Sequence, residues 1–140
     1  MKVRVTKVHG KAKMPVRAYP TDAGMDLFCA ENISIAVGER VQVSTGISME
    51  IPEGFVGLIW DKSGLSQKAG LKTLGGVVDS QYRGEIKIGI INLSDKDFVF
   101  EKGQKVAQML IQKVERVDLI ESENLSDTSR GESGFGSTGL

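Results

Sequence analysis

The sequence predicts an all-β protein, a jelly-roll-like β-sandwich or distorted barrel, and two observations favour this class. Apolar residues alternate with other residues over short runs, as in Ile47, Met49 and Ile51. The other alternating sets are Val3 and Val5, Ile33, Ile35 and Val37, Val41 and Val43, and Ile86, Ile88 and Ile90. Glycine, proline or polar clusters end each run, and those at residues 38–39, 52–54 and 101–103 are turn signals. Such frequent turns are typical of antiparallel strands.

Two segments differ from this pattern. The run from Ser63 to Lys68 is low in β-branched residues and predicts one short helix, with Ser63 as its cap. Five later apolar residues fall near helical spacing: Val106, Met109, Leu110, Val114 and Val117. Periodicity alone therefore leaves a helix open in that segment, although we favour a strand.

The chain divides into a β-domain, residues 1–120, and a C-terminal arm, residues 121–140. From Glu121 onward Ser, Asp, Thr, Glu and Gly dominate, and the sizeable apolar residues are Leu125, Phe135 and Leu140. Such a segment cannot build a core of its own. We expect a flexible arm that becomes ordered over a ligand or a neighbouring subunit.

Charge and cysteine content narrow the function classes. Lys plus Arg and Asp plus Glu both total 18, so no charge excess indicates a nucleic-acid or membrane partner. The single cysteine, Cys29, has no partner for an internal disulfide and no Cys or His at metal-ligand spacing around it. The chain begins without an apolar leader and has no membrane-length apolar run. These features predict an intracellular, cytoplasmic protein, with a nucleus or organelle left open.

The stretch from Gly76 to Glu85 is the strongest candidate for a site. Gly76 and Gly84 allow a close approach to the main chain, and Asp79 and Tyr82 would lie at a hairpin end. A surface hairpin is the competing interpretation. His9 is the only histidine, so a hydrolytic base would have to be a carboxylate, and Asp79 is the best placed.

Two further stretches suit phosphate binding. Residues 130–139 combine glycines, the hydroxyls of Ser137 and Thr138, and Arg130, which together could cradle phosphate oxygens, and Phe135 could stack on a flat ring. Residues 61–65 place Lys62, Ser63 and Gly64 at a possible helix start. A disordered terminus and an ordinary helix cap are the respective alternatives.

Two polar side chains lie near apolar runs. Asp26, within residues 23–27, is costly to bury unless it is paired or faces a cation-bearing site, so it could reach a hydrated metal or serve a turn. Gln108 could donate to an oxyanion or be an ordinary surface glutamine. Local sequence does not decide between these roles.

Taken in order, five segments closely resemble the trimeric dUTPase family, the deoxyuridine triphosphate nucleotidohydrolases. The segments are residues 23–27, 62–65, 76–85, 103–108 and 130–139. The resemblance implies a jelly-roll-like subunit in a homotrimer, with active sites shared between chains and covered by the arm. It implies hydrolysis of dUTP to dUMP and pyrophosphate, with Mg²⁺ held mainly by the triphosphate. This activity would limit uracil incorporation into DNA and supply dUMP for thymidylate synthesis.

The resemblance also implies roles for individual residues. Asp79 would be the general base, Tyr82 would pack against the deoxyribose, and the backbone of Gly76, Val77 and Val78 would read the uracil edge. Asp26 would act on Mg²⁺ through water. The phosphate contacts would come from Lys62, Ser63, Gly64, Gln108, Arg130, Gly136, Ser137 and Thr138, and Phe135 would cover the uracil.

The chain departs from the family pattern at four places. Lys62 stands where arginine is usual, Gln104-Lys105 replaces an Asp-Arg pair, Ser133 replaces a frequent glycine, and residues 72–76 lack an asparagine that some members use. We therefore expect activity with altered affinity. A dCTP deaminase of the same fold and a non-catalytic nucleotide-binding trimer are the alternatives.

Overall fold

A computed structural model describes residues 1–134, and this part of the chain forms eleven strands and one short helix. The elements are β1 (Arg4–Lys7), β2 (Met25–Phe28), β3 (Ile33–Ile35), β4 (Arg40–Ser44), β5 (Ile47–Glu50), β6 (Phe55–Trp60), α1 (Ser63–Ala69), β7 (Leu71–Leu74), β8 (Val77–Val78), β9 (Lys87–Asn92), β10 (Phe98–Phe100) and β11 (Lys105–Lys113). The β-sandwich class predicted from the sequence is confirmed.

The strands pair antiparallel in four small sheets. The largest has the order β2-β11-β6-β8, and a three-stranded sheet has the order β4-β9-β7. Two-stranded sheets join β1 to β5 and β10 to β3. Long-range pairings such as β11 with β2 bring the two ends of the domain together, which is typical of sandwich folds.

The alternating residues build the core, as the period-two pattern predicts. Ile47 and Met49 on β5, Ile51 just after that strand, and Ile88 and Ile90 on β9 are buried in a single cluster. Their solvent-facing neighbours alternate with them because successive strand side chains point to opposite faces. Val37 is an exception, because it lies after β3 and is 52% exposed.

Two local predictions have different outcomes. Residues 105–113 form a strand, so the preference for a strand over a helix is confirmed. The short helix is also present, but Lys62 rather than Ser63 occupies the cap position and makes no side-chain capping hydrogen bond. Ser63 is instead the first helical residue, so the capping role predicted for it is wrong.

The turn that follows β8 is not a hairpin end, in contrast to the prediction. β8 pairs with β6, whereas the next strand, β9, pairs with β4 and β7. The segment after Val78 therefore crosses from one sheet to the other. A crossing connection exposes its side chains between two sheets, which places Asp79 and Tyr82 above a cleft rather than at a hairpin tip.

The first residues after β11 still contact the domain, through the Val114 N–H, which donates to the Gly54 carbonyl at 2.9 Å, and through Arg116, which lies 3.3 Å from the Glu53 carboxylate. Within the described part of the arm, hydrogen bonds are local, such as the one from the Arg130 guanidinium to the Ser133 carbonyl at 2.8 Å. Leu119 and Leu125 are more than 90% exposed. The predicted domain boundary at residue 120 stays a prediction. Within residues 1–134, no helix has the length and apolar character needed to cross a membrane.

Candidate functional site

A cavity of about 550 Å³ opens beside the connection between β8 and β9. Its lining consists of Gln42, Val77, Val78, Asp79, Tyr82, Glu85, Ile86 and Lys87. The predicted base, the predicted sugar-facing ring and two of the predicted base-reading residues therefore share one cavity. Asp79 itself is exposed, so its carboxylate is open to water and to a ligand.

The backbone before Asp79 has a conformation that needs glycine. Gly75 and Gly76 both have positive φ, at 70° and 120°. A Cβ on Gly76 would lie 2.8 Å from the carbonyl oxygen of Ile59, closer than real Cβ atoms approach. The Gly76 carbonyl accepts a hydrogen bond of 2.8 Å from the Ile59 N–H. Only glycine allows the chain to lie this close to β6 and enter β8 in this orientation.

Tyr82 is held over the backbone of its own turn. Its N–H donates to the Asp79 carbonyl at 3.1 Å, and its hydroxyl donates to the Glu85 carbonyl at 2.9 Å. The ring lies over Gly84, where a Cβ would be 2.6 Å from the ring carbon that carries the hydroxyl. Gly84 is therefore needed for side-chain space, and the ring stays 47% exposed toward the cavity.

A second cluster forms around Asp26, whose side chain is only 6% exposed. The Lys62 ammonium donates to Oδ1 at 2.5 Å, and the Lys105 ammonium lies 2.6 Å from Oδ2. The Lys105 contact is off the direction of a good hydrogen bond, so it is mainly an attraction between charges. Burial acts to raise the pKa of Asp26, but the two ammonium groups more than offset it and hold the pKa below its ordinary value.

Gln108 ties this cluster to the start of the helix. Its side-chain N–H donates to the Asp61 carbonyl at 2.8 Å, and its amide fills the space beside Gly24. The Asp61 carboxylate accepts 2.7 Å hydrogen bonds from the N–H and hydroxyl of Thr73. Ser63 and Gly64 remain exposed on the first helical turn, where N–H groups have no partner within a helix.

The two clusters lie apart within one chain. Val78 pairs with Gly57 on β6, whereas Gln108 pairs with Trp60 on the same strand. These levels are about 10 Å apart along the strand, and Asp79 continues away from the Asp26 cluster. The chain therefore does not bring Lys62, Ser63, Gly64 or Gln108 into the cavity beside Asp79.

Of the arm residues predicted to bind the nucleotide, only Arg130 lies within the described part of the chain. Arg130 is exposed and contacts only its own turn among the residues described. Phe135, Gly136, Ser137 and Thr138 lie outside the described residues, so their predicted roles have no structural test here.

The side chains present fit a metal ion held mainly by a ligand rather than by the protein. Residues 1–134 contain no group of three or more His, Cys, Asp or Glu arranged to hold a metal. Asp26 offers one carboxylate, and its oxygens already face two ammonium groups. The contact of Asp26 with Mg²⁺ through water, with the ion carried by substrate oxygens, stays a prediction.

Sequence reasoning did not assign three residues that the structure places at these clusters. Lys105 was noted only as a departure from the family pattern, yet it contacts Asp26. Gln42 and Lys87 line the cavity from the neighbouring sheet. Their positions depend on the pairing of β4 with β9, which no local motif reveals.

The comparisons with known proteins agree with this geometry. The family model described as dUTPase matches residues 10–139. A deoxyuridine 5'-triphosphate nucleotidohydrolase of Hydrogenobaculum sp. (strain Y04AAS1) is 46% identical, over 100% of this chain and 99% of that protein. The enzyme of the same name from Corynebacterium diphtheriae is 45% identical, over 99% of this chain and 93% of that protein.

Solved structures give the same result. The Staphylococcus bacteriophage 80alpha dUTPase with dUPNHPP has a TM-score of 0.93 and 30% identity, over 99% of both chains. A mutant dUTPase from phage phi11 of S. aureus, solved with a coordinated structural Mg(II) ion, has a TM-score of 0.85 and 27% identity, over 91% of this chain and 100% of that one. With a family model that spans almost the whole sequence and relatives of this identity and coverage, the chain belongs to the dUTPase family.

Proposed function

We propose that the protein hydrolyses dUTP to dUMP and pyrophosphate. The proposal rests on one observation: in this chain of the dUTPase family, the exposed Asp79 carboxylate and the Tyr82 ring line the same cavity. The bound dUPNHPP of the 80alpha enzyme supports a uracil deoxynucleoside triphosphate as the ligand class.

In the proposed reaction, Asp79 accepts a proton from a water molecule while the water oxygen bonds to the α-phosphorus. The bond from that phosphorus to the bridging oxygen of the β-phosphate breaks in line, and pyrophosphate leaves. No covalent enzyme intermediate is required. The exposure of Asp79 suits this role, because a carboxylate open to water can act as the base without a histidine.

Recognition of the nucleoside is assigned to the rest of the cavity. The backbone of Gly76, Val77 and Val78 would read the uracil edge, since β8 is an edge strand among the described residues and pairs with β6 on one side only. The Tyr82 ring would lie against the sugar, where a ribose 2′-hydroxyl would meet it. These contacts would select both the base and the deoxyribose.

The triphosphate would bind at the second cluster. Lys62 and the exposed N–H groups of Ser63 and Gly64 offer positive charge and donors, and Gln108 holds the Asp61 carbonyl just before them. Bound Mg²⁺ would supply further positive charge against the phosphates, with Asp26 as its nearest carboxylate, through water. Arg130, Gly136, Ser137, Thr138 and Phe135 of the arm would close over the nucleotide and exclude bulk water.

A homotrimer with shared sites would join the two clusters. One chain keeps Asp79 and Lys62 too far apart along β6 to meet a single triphosphate from one cavity. A neighbouring copy can supply the phosphate-binding cluster to the cavity of the first. Light scattering at micromolar concentration should then give three times the subunit mass, and a monomer with full activity would contradict shared sites.

The activity is tested by pyrophosphate release from dUTP, UTP, dTTP and dCTP in the presence of Mg²⁺. We expect release from dUTP alone at an appreciable rate; ammonia from dCTP would instead indicate a deaminase. Asp79→Asn should lower kcat by about a hundredfold or more while dUPNHPP still binds. Asp95→Asn, at an exposed turn, is the matched control. Unchanged turnover in the Asp79 variant would end its assignment as the base.

A further inference from the structure

Glu85 lines the cavity, and its half-buried carboxylate bonds to the turn between β4 and β5. One of its oxygens accepts hydrogen bonds from the Ser44 hydroxyl and from the Gly46 N–H, the latter at 2.8 Å. The side chain is 16% exposed, and the His9 Nε2 lies 3.8 Å from the same oxygen. Glu85 therefore joins the connection after β8 to the turn between β4 and β5.

The turn that receives Glu85 is itself fixed. Gly46 has φ of 69°, and a Cβ there would lie 2.8 Å from the Ala12 side chain. The Thr45 hydroxyl donates to the Ile86 carbonyl at 2.5 Å. The Ile86 N–H donates to the Ile47 carbonyl at 2.9 Å. The residue after Glu85 is thus anchored to the same turn that binds the Glu85 carboxylate.

The backbone of Glu85 holds the sugar-facing ring. Its carbonyl accepts the Tyr82 hydroxyl at 2.9 Å, so the side chain and the carbonyl of one residue connect Ser44 and Gly46 to Tyr82. The ring otherwise rests on Gly84, which offers it no side chain to pack against. A shift of the Glu85 backbone would therefore move the ring directly.

A carboxylate at this place weakens the binding of a polyanion. Its presence therefore indicates a structural role that offsets this repulsion. Glu85 lines the same cavity as Asp79, so its charge repels phosphates at close range. Burial acts to raise the pKa of Glu85, but the donors Ser44 and Gly46, aided by His9 and Lys87, hold it below the ordinary value. The group stays ionised at neutral pH and makes two strong, directed hydrogen bonds.

We propose that Glu85 is a positioning residue that sets the Tyr82 ring against the sugar and so determines the preference for deoxyribose over ribose. The inference rests on the proposed dUTP hydrolysis and assigns the sugar selectivity of that site to a residue that does not touch the reacting atoms. The ring supplies the contact surface, and the hydrogen bonds of Glu85 set its distance from the sugar.

The readout is the ratio of kcat/KM for dUTP to kcat/KM for UTP, because a general loss of stability lowers both values together. Glu85→Ala should lower the ratio by about fivefold, the effect of one lost ordinary hydrogen bond. Glu85→Gln keeps an oxygen that can accept from Ser44 and Gly46, so it should restore most of the ratio. In a Tyr82→Ala background, Glu85→Ala should change the ratio no further. Glu115→Gln, at an 81% exposed glutamate, is the control.

Each result decides the inference. A folded Glu85→Ala variant with an unchanged ratio would overturn it, and so would a Gln variant as unselective as the Ala variant or additive effects with Tyr82→Ala. If Glu85→Ala does not fold, Ser44→Ala decides, with an expected loss of about threefold and no loss as the refuting result. Failure of the wild-type protein to hydrolyse dUTP would refute the proposed function, whereas dUTP hydrolysis with an unaltered ratio would refute the positioning role alone.

Discussion

The buried Asp26 carboxylate makes the stability of the domain sensitive to one charge. In Asp26→Asn, an amide replaces a carboxylate that lies 2.5 Å from the Lys62 ammonium and 2.6 Å from that of Lys105. The new amide oxygen can accept from one lysine, but the amide NH₂ group then faces the other. One charge-assisted interaction is lost outright and the second is weakened.

The size of the effect follows from how exposed the partners are. Breaking a fully buried ion pair costs about 3–5 kcal/mol because the remaining charge is stranded. Here the Lys62 and Lys105 side chains are 26% and 45% exposed, so water can solvate both ammonium groups after the change. We therefore expect a loss of about 2 kcal/mol in the free energy of unfolding.

The pH dependence gives an independent check with a fixed sign. The pKa of Asp26 in the folded protein is below its unfolded value of 3.8, so its contribution is fully present well above pH 3.8. The contribution is lost as the pH falls through the lower, folded pKa. The stability difference between wild type and Asp26→Asn should thus be largest near pH 7 and shrink below about pH 4.

Urea unfolding at pH 7 and at a series of lower pH values measures both quantities at one protein concentration. Asp95→Asn, at an exposed position, controls for the general effect of removing a negative charge. An Asp26→Asn protein as stable as the control at pH 7, or a difference that grows in acid, would refute the ion-pair argument.

Two further predictions concern the backbone and the arm. Gly76→Ala should lower the free energy of unfolding in urea by about 3 kcal/mol, because φ is 120° and the Cβ would meet the Ile59 carbonyl. The control Gly10→Ala, with open space around the residue, should change the free energy of unfolding little. Equal effects of the two would contradict the strain argument. Deletion of residues 121–140 should leave the melting temperature unchanged, because the hydrogen bonds of the described part of the arm are local. The turnover of dUTP should fall at least about a hundredfold, because the arm would no longer exclude water from the site. Retained turnover would show that the arm is not part of the site.

Local sequence was enough to predict the fold class and the stretch that contributes Asp79 and Tyr82 to the cavity. Alternation with period two depends only on which face of a strand is buried, so Ile88 and Ile90 predicted β9 without knowledge of its partners. The role of the glycine before β8 was also predictable, because glycine adopts positive φ without the steric penalty of a Cβ. Both signals depend only on neighbouring residues, and the structure contains both the strand and the positive φ.

Features that depend on distant pairing could not be predicted. The turn after β8 was expected in a hairpin because consecutive strands usually pair, but β8 joins β6 and β9 joins β4 and β7. The cap prediction failed for a related reason: the Lys62 side chain extends to Asp26, 36 residues away, and the helix starts one residue after it. A partner so far along the chain leaves no local pattern.

The Asp26 cluster connects these long-range pairings to the proposed chemistry. Asp26 is on β2, Lys105 begins β11, and Lys62 precedes the helix, so three segments meet at one carboxylate. With two ammonium groups and one carboxylate, the cluster carries a net positive charge in a chain whose formal net charge is zero. An incoming triphosphate can compete with Asp26 for Lys62 without leaving either charge unpaired, since Lys105 stays with the carboxylate. If Lys62 binds phosphate as proposed, the ion pair holds its ammonium close to the phosphate, and displacement of Asp26 lowers the net affinity for the triphosphate.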